Sequence, residues 1–365
     1  MVMKVAIVGA GISGLACAYQ LESYGIDPII FEAQSAVGGG YNHVAAILQV
    51  FTRSIKDPLR YEKYKYDIPI QPTAVINKII MNGPTKKSII RGNNLGYFFV
   101  RGPEEGSLES NLFKLIKSNI NFNTKIDDLE PLKREFDYVV VATGSNQFTK
   151  LYGCWQDLME TWLKGAVILG EFDPNVLMMW INIVYAKSGY AYLAPYDSRR
   201  ALLALMVPYI KKDELETNWQ TFLKIENITN ERVEEFVIQH KSGNVYPHTV
   251  ENVYFVGNAG GILEPFLGFG QFHALLSGSI AAKCIVEAKD YEQEIKYIHE
   301  EFMKMLTFRK ALDALTNRGF DFIVGLLGFP GFNKIIYNTG LNVVRYASWL
   351  VDNAYNRFWG EKPLR

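Results

Sequence analysis

A glycine-rich turn between an apolar strand and an apolar helix, a second strand closing on an acidic residue, and aromatic strands interleaved between later pieces of this pattern predict an α/β fold. The expected architecture is a Rossmann-type dinucleotide-binding domain with an inserted, mostly antiparallel β domain and a C-terminal helical region.

Residues 3–9 (MKVAIVG) are a short apolar run rich in β-branched residues, followed by glycine punctuation and an apolar-periodic stretch from Ile12 to Tyr24 that stops at Gly25. That reads as strand, tight turn and helix. Residues 27–32 (DPIIFE) form a second strand, parallel to the first by the right-handed crossover rule. Further buried strands are predicted at 137–142 (DYVVVA), closing on Thr143 and Gly144, and at 253–257 (VYFVG), which runs through a glycine-rich turn into a long helix over 270–289. The segments between them differ in character: 46–96 is rich in lysine and proline, and 151–247 carries GYAYLAP (189–195) and ALLALMV (201–207). The boundaries expected are 1–45, 97–150 and 248–290 for a discontinuous dinucleotide domain, 46–96 and 151–247 for a substrate domain, and 291–365 for the helical region. A chain of 365 residues suits two closely packed domains with an appendage.

Thirty-eight basic residues balance 38 acidic ones, which removes the broad positive field that nucleic-acid partners need. Cys17, Cys154 and Cys284 form no CxxC pair and read as reduced, structural residues; no metal site is expected. The apolar N-terminus lacks a basic n-region and holds Gly9, Gly11 and Gly14, so it is not a signal peptide. No stretch reaches the roughly 18 apolar residues of a spanning helix. A cytoplasmic protein is expected.

The run GAGISG (9–14) fits GxGxxG, and its context makes it specific: it follows a strand, opens a helix, and has Glu32 at the end of the next strand. Gly9 permits the tight turn, Gly11 lets the backbone approach a pyrophosphate, and Gly14 lets helix and strand pack. Ile12 and Ser13 would offer the N–H groups of the first helical turn. Glu32, with Ala33 beside it, would accept hydrogen bonds from an adenosine ribose. Glycines follow directly in EAQSAVGGG (32–40), with Gly39 and Gly40 where FAD-type proteins lead the chain back over the cofactor, so FAD is expected rather than NAD. Ala142 and Gly144, at the end of the third strand, are counted with the cofactor residues.

The segment VYFVGNAGGILEPFLGFGQFHALLSGSIAA (253–282) resembles the late FAD segment of glutathione-reductase-like and hydroxylase-like flavoproteins. The resemblance implies that Gly257 and Asn258 meet the ribityl chain and pyrophosphate, that Pro265, Gly268 and Gly270 let the backbone run along the isoalloxazine, and that the following helix points its positive end at the flavin; Phe269 is counted with the cofactor residues and as a candidate apolar wall. Asn258 stands where the family usually has Asp. Arg101, in YFFVRG, occupies the place of a cofactor-contacting arginine.

Residues 170–207 are similar to the substrate-domain strands of the geranylgeranyl reductase family, whose aromatic Tyr-x-Trp-x-Phe-Pro run is matched here by Tyr190-Ala-Tyr192-Leu-Ala-Pro195. The likeness covers most of 1–295. It implies reduction of isolated C=C bonds in a polyprenyl chain, with hydride from N5 of reduced FAD and a proton from the protein, in a site that excludes water. Tyr190, Tyr192, Trp180 and Phe266 are the expected substrate walls, and an apolar or lipid molecule the substrate. The family's Cys-x-Gly element is replaced by Gly40-Tyr41-Asn42-His43, which leaves His43 and Tyr41, with His273, as candidate proton donors.

No second GxGxxG follows, so electrons are expected from an external donor, either NAD(P)H or ferredoxin. A monooxygenase of the aromatic-hydroxylase class is the main alternative, although the Asp-Gly and Gly-Asp elements of that class are missing; an electron-transfer subunit is a second. The apolar segment 319–350, with Lys334 and Arg345, suits peripheral contact with a bilayer, packing on the substrate domain, or a homo-oligomer interface.

Overall fold

The computed structural model describes residues 3–39, 42–50, 57–331 and 336–337. The chain opens with β1 (Val5–Val8), α1 (Ile12–Ser23), β2 (Ile29–Phe31), β3 (His43–Leu48), α2 (Pro58–Tyr66), β4 (Ala74–Asn82) and β5 (Lys87–Arg101). It continues through α3 (Leu108–Phe113), β6 (Ile120–Asn121), α4 (Glu130–Glu135), β7 (Tyr138–Val141), α5 (Gln147–Leu151), β8 (Trp155–Leu169), β9 (Val176–Trp180) and α6 (Ile183–Ala186). Then come β10 (Tyr190–Pro195), β11 (Arg200–Pro208), α7 (Leu215–Ile225), β12 (Arg232–Val245), β13 (Thr249–Val250) and β14 (Val253–Phe255). The helices α8 (Gln271–Glu287), α9 (Tyr291–Asp313) and α10 (Asn317–Gly328) complete the described elements.

The first sheet has the order β13-β14-β7-β1-β2-β6, parallel throughout except for β13. All four residues of β1 are buried, as expected of a central parallel strand covered on both faces. Helices α1 and α8 cross above it, so closely that a Cβ on Gly278 would lie 2.0 Å from the Ser13 carbonyl oxygen. Cys17 and Cys284 are buried in this core and Cys154 beside β14, and none is in a disulfide. Burial pushes the Cys284 thiol up to about 12 and the Cys17 thiol higher still, so both are inert hydrophobes.

The second sheet has eight strands in the order β12-β8-β11-β10-β9-β4-β5-β3, antiparallel except for the β4–β9 pair. Its two faces follow the period of two. Leu163, Val167, Leu202, Ala204, Met206, Tyr190 and Phe236 belong to the core on one face, whereas Ala166, Ile168, Leu203, Leu205 and Val207 meet α7 on the other. Helix α7 answers with Leu215, Trp219, Phe222 and Leu223, one amphipathic stripe. The expected boundaries at 45/46 and 96/97 fall inside β3 and β5, which lie in the substrate sheet. A strand cannot be divided without breaking its ladder, so the whole of 43–48 and 87–101 goes with the second sheet.

Of the segment 319–350, the described part begins with α10, which docks on the β4–β5 hairpin. Asp321 accepts hydrogen bonds from the Thr85 N–H (2.9 Å), the Thr85 hydroxyl (2.7 Å) and the Lys86 N–H (2.9 Å). Phe320 and Val324 are buried there, while Phe322 and Phe329 are 70% and 64% exposed. Lys334 and residues 338–350 lie outside the described residues, and among those described no helix is long and apolar enough to cross a membrane.

Candidate functional site

The two sheets enclose a cavity of about 310 Å³. One wall is backbone. Gly11, Ile12 and Ser13 open α1, Ala142 and Gly144 follow β7, and Asn258, Gly268, Phe269, Gly270 and Gln271 lead into α8. Neither α1 nor α8 has a side-chain cap or an acidic residue in its first turn, so both present unpaired N–H groups and a partial positive charge to the cavity.

The glycines of this wall have different causes. A Cβ on Gly14 would sit 2.0 Å from the Gly9 carbonyl oxygen, and Gly9 itself has φ +108° with the Ala142 carbonyl 2.5 Å from its missing Cβ. Both are required by the packing of helix on strand. Gly11 has nothing within 4 Å of that position, and neither does Gly144 at φ +70°. The fold leaves open space above Gly11, which is the room a phosphate needs to reach the helix N-terminus.

Two side-chain acceptors point to the same conclusion. The Asn258 amide donates to the Gly144 carbonyl (2.8 Å) and the Gln271 amide to the Ala46 carbonyl (3.2 Å). Their oxygens, Asn258 Oδ1 and Gln271 Oε1, are buried without a hydrogen-bond partner among the described residues. A buried orphan acceptor costs about 1–3 kcal/mol, and hydroxyl or N–H donors of a bound cofactor would remove that cost. Glu32 accepts from the Ala10 N–H (2.7 Å) and the Gln34 N–H (2.8 Å), which fixes its carboxylate and leaves a lone pair on each oxygen for a sugar hydroxyl. These residues fit a flavin dinucleotide.

Arg101, at the end of β5, lines the cavity and is held there by Glu109 of α3, with Nε and Nη2 both 2.6 Å from Oε1. The other Glu109 oxygen accepts the Gly102 N–H (3.2 Å). His43 is the residue opposite Arg101 across the β3–β5 ladder and also lines the cavity.

The opposite wall is a sheet face. Leu163, Leu177, Met179, Leu202, Met206, Phe236 and Ile238 come from β8, β9, β11 and β12, with Tyr190 and Tyr192 from β10 between them. Tyr190 donates to the Leu267 carbonyl (2.5 Å), tying this face to the loop before α8. Glu264 shapes that loop by accepting the N–H groups of Phe266 (2.5 Å), Leu267 (2.8 Å) and Phe269 (3.0 Å). Burial pushes its carboxyl up to about 7 against those donors and Arg309.

Several expected site residues lie elsewhere. Trp180 follows Met179 in β9 and therefore faces the other way, packing on Phe222 of α7 with centroids 5.6 Å apart. Phe266 is turned out of the cavity onto Phe308 of α9 (5.6 Å). Pro265 lines a separate small cavity with His248 and His299. His273 points from α8 towards α9, against Phe302 (5.1 Å) and Glu301 (3.8 Å). Gly257 has φ +58° and packs on Ser13, while Ala33 and Gly39 are exposed. Gly40 and Tyr41 lie outside the described residues. His240, Gln271 and Met206 are cavity residues that the sequence reading passes over.

Comparison with known proteins agrees with this geometry. Residues 7–46 match the NAD(P)-binding Rossmann-like domain family. Protoporphyrinogen oxidase 2 of Arabidopsis thaliana is 58% identical over 36 residues, 10% of this chain and 7% of the oxidase. Thiamine thiazole synthase of Pyrococcus horikoshii is 28% identical over 156 residues, 39% of this chain and 57% of the synthase. The chain thus spans about half the length of the synthase and less than a tenth of the oxidase. Among solved structures, a geranylgeranyl bacteriochlorophyll reductase-like protein of Thermoplasma acidophilum superposes with a TM-score of 0.71 at 16% identity, covering 98% of this chain and 97% of that one. A flavin-dependent brominase gives 0.65 at 13% identity, covering 97% and 98%. The chain has the fold of these two proteins.

Proposed function

We propose that the chain is an FAD-dependent oxidoreductase that reduces C=C bonds of a polyprenyl-type lipid. The observation that carries this reading is the pairing of two unlike walls across one cavity: a polar backbone cradle opposite a five-strand apolar face. When bound, reduced flavin supplies hydride. The residues of the chain do the rest.

The first turn of α1 takes the pyrophosphate, Glu32 the adenosine ribose, and Asn258 Oδ1 a ribityl hydroxyl. The uncapped start of α8 and Arg101, fixed by Glu109, stabilise negative charge. On the other wall Leu163, Leu177, Met179, Leu202 and Met206 displace water and hold an alkene flat, which an unactivated double bond requires. Tyr190 keeps its proton, because burial holds its pKa well above the usual value and its hydroxyl is engaged. His43, which lines the cavity, is the proton donor in this reading. Electrons come from an external donor, nicotinamide or a ferredoxin-type protein.

The test is a purified protein with a yellow flavin spectrum, reduced anaerobically and given a geranylgeranyl lipid. The expected product is heavier by hydrogen alone. An oxygen-dependent gain of a hydroxyl on an aromatic compound would establish a monooxygenase instead, and a colourless protein that takes up no FAD would reject the cofactor.

A further inference from the structure

Strand β12 turns Phe236, Ile238 and His240 into the cavity at intervals of two, while Val237 and Gln239 between them are exposed. The first two continue the apolar wall. His240 does not, and its imidazole makes no hydrogen bond with any described residue. Directly opposite it across the ladder is Thr161 of β8, on the same face. Thr161 is 3% exposed, and its hydroxyl is buried without a partner among the described residues. The hydroxyls of Tyr190 and Tyr192 by contrast reach the carbonyls of Leu267 and Val44 at 2.5 and 3.5 Å. The sheet face therefore has one polar corner with two unused groups.

We propose that His240, with Thr161 beside it, is a specificity-determining residue that hydrogen-bonds an uncharged oxygen, hydroxyl or carbonyl, of an otherwise apolar substrate; this rests on the apolar-substrate reading above. Burial lowers the His240 pKa to about 4, so the ring is neutral near neutral pH, with one donor and one acceptor nitrogen. A phosphate head would need a cation. Among the described residues that line the cavity the one cationic side chain is Arg101 of β5, six strands from β12 in the sheet order and therefore out of reach of a head group at His240. In a dry site, a missing hydrogen-bond partner is penalised far more than a missing methylene.

The test uses a matched pair of probes, a polyprenyl alcohol and the hydrocarbon of the same chain without its hydroxyl, with binding read from the perturbed absorption of the bound flavin. The wild-type protein should favour the alcohol by about tenfold. His240→Leu should abolish that preference by weakening the alcohol alone, with flavin content unchanged, and His240→Gln should keep most of it. A wild-type protein that binds both probes equally, or a Leu variant that retains the preference, overturns the proposal. If neither probe binds a flavin-loaded wild-type protein, the apolar-substrate reading fails and takes this inference with it.

Discussion

The two walls of the cavity are built on opposite principles. The cradle wall works through backbone: glycines, helix ends and two amides hold its shape, and several of its residues are there because of what they lack. The sheet wall works through side chains that alternate faces along five strands. A change in the first should therefore act on the cofactor or the fold, and a change in the second on the substrate.

The largest effect expected is at Gly14. A Cβ 2.0 Å from a main-chain oxygen forces α1 off β1, and Gly14→Ala should lower stability by about 3 kcal/mol or prevent folding, measured by denaturant unfolding. Gly11→Ala is the control that separates the causes. With open space above it, the apoprotein should lose only about 1 kcal/mol, the cost of Ala in place of Gly at the N-cap of α1, yet FAD content should fall by about tenfold or more. Equal losses at the two positions would show that Gly11 serves packing alone.

Asn258→Leu comes next, weakening FAD by about tenfold through loss of the orphan acceptor, as read by equilibrium dialysis of flavin. On the sheet wall, Met206→Asn should leave flavin content intact while greatly slowing prenyl reduction. A matching loss of flavin would break the division of labour between the walls.

Acid stability gives an effect confined to low pH. Burial lowers both His240 and His273 from 6.5 to about 4, so the unfolded chain takes up their protons at higher pH than the folded one. Stability is complete above about pH 6.5 and declines as pH falls towards 4. His273→Leu should flatten that limb by on the order of 3 kcal/mol, the full drop from 6.5 to about 4 that burial causes. Thermal melting across this pH range is the measurement. The smallest contrast is between two tyrosines: Tyr190→Phe should cost about 1 kcal/mol, because its 2.5 Å bond satisfies the Leu267 carbonyl, whereas Tyr192→Phe, with a 3.5 Å contact, should be close to neutral.

The same contrast decides how much is legible in the sequence. Gly9, Gly11, Gly14 and Glu32 are readable because a tight turn, a helix start and a strand end are local events, fixed by residues within one βαβ unit. The sheet wall is harder, since β11 (RALLALMVP) is buried on both faces and its sequence does not alternate. Only the ladder register, Tyr190 against Met206 and Tyr192 against Met179, shows which residues share a face. Trp180 illustrates the failure, being chosen for aromaticity when its parity in β9 points it at α7. His240 carried a usable signal, the Phe-x-Ile-x-His alternation in a strand whose intervening residues Val237 and Gln239 are exposed. The domain boundaries at 45/46 and 96/97 followed changes of composition, which do not mark the ends of strands.

The account turns on whether one cavity brings a reduced flavin and an apolar double bond together. Anaerobically reduced protein should regain its yellow colour when a geranylgeranyl lipid is added with oxygen excluded, in proportion to the double bonds consumed. A flavin that stays bleached until oxygen is admitted, with the lipid unchanged, would contradict it.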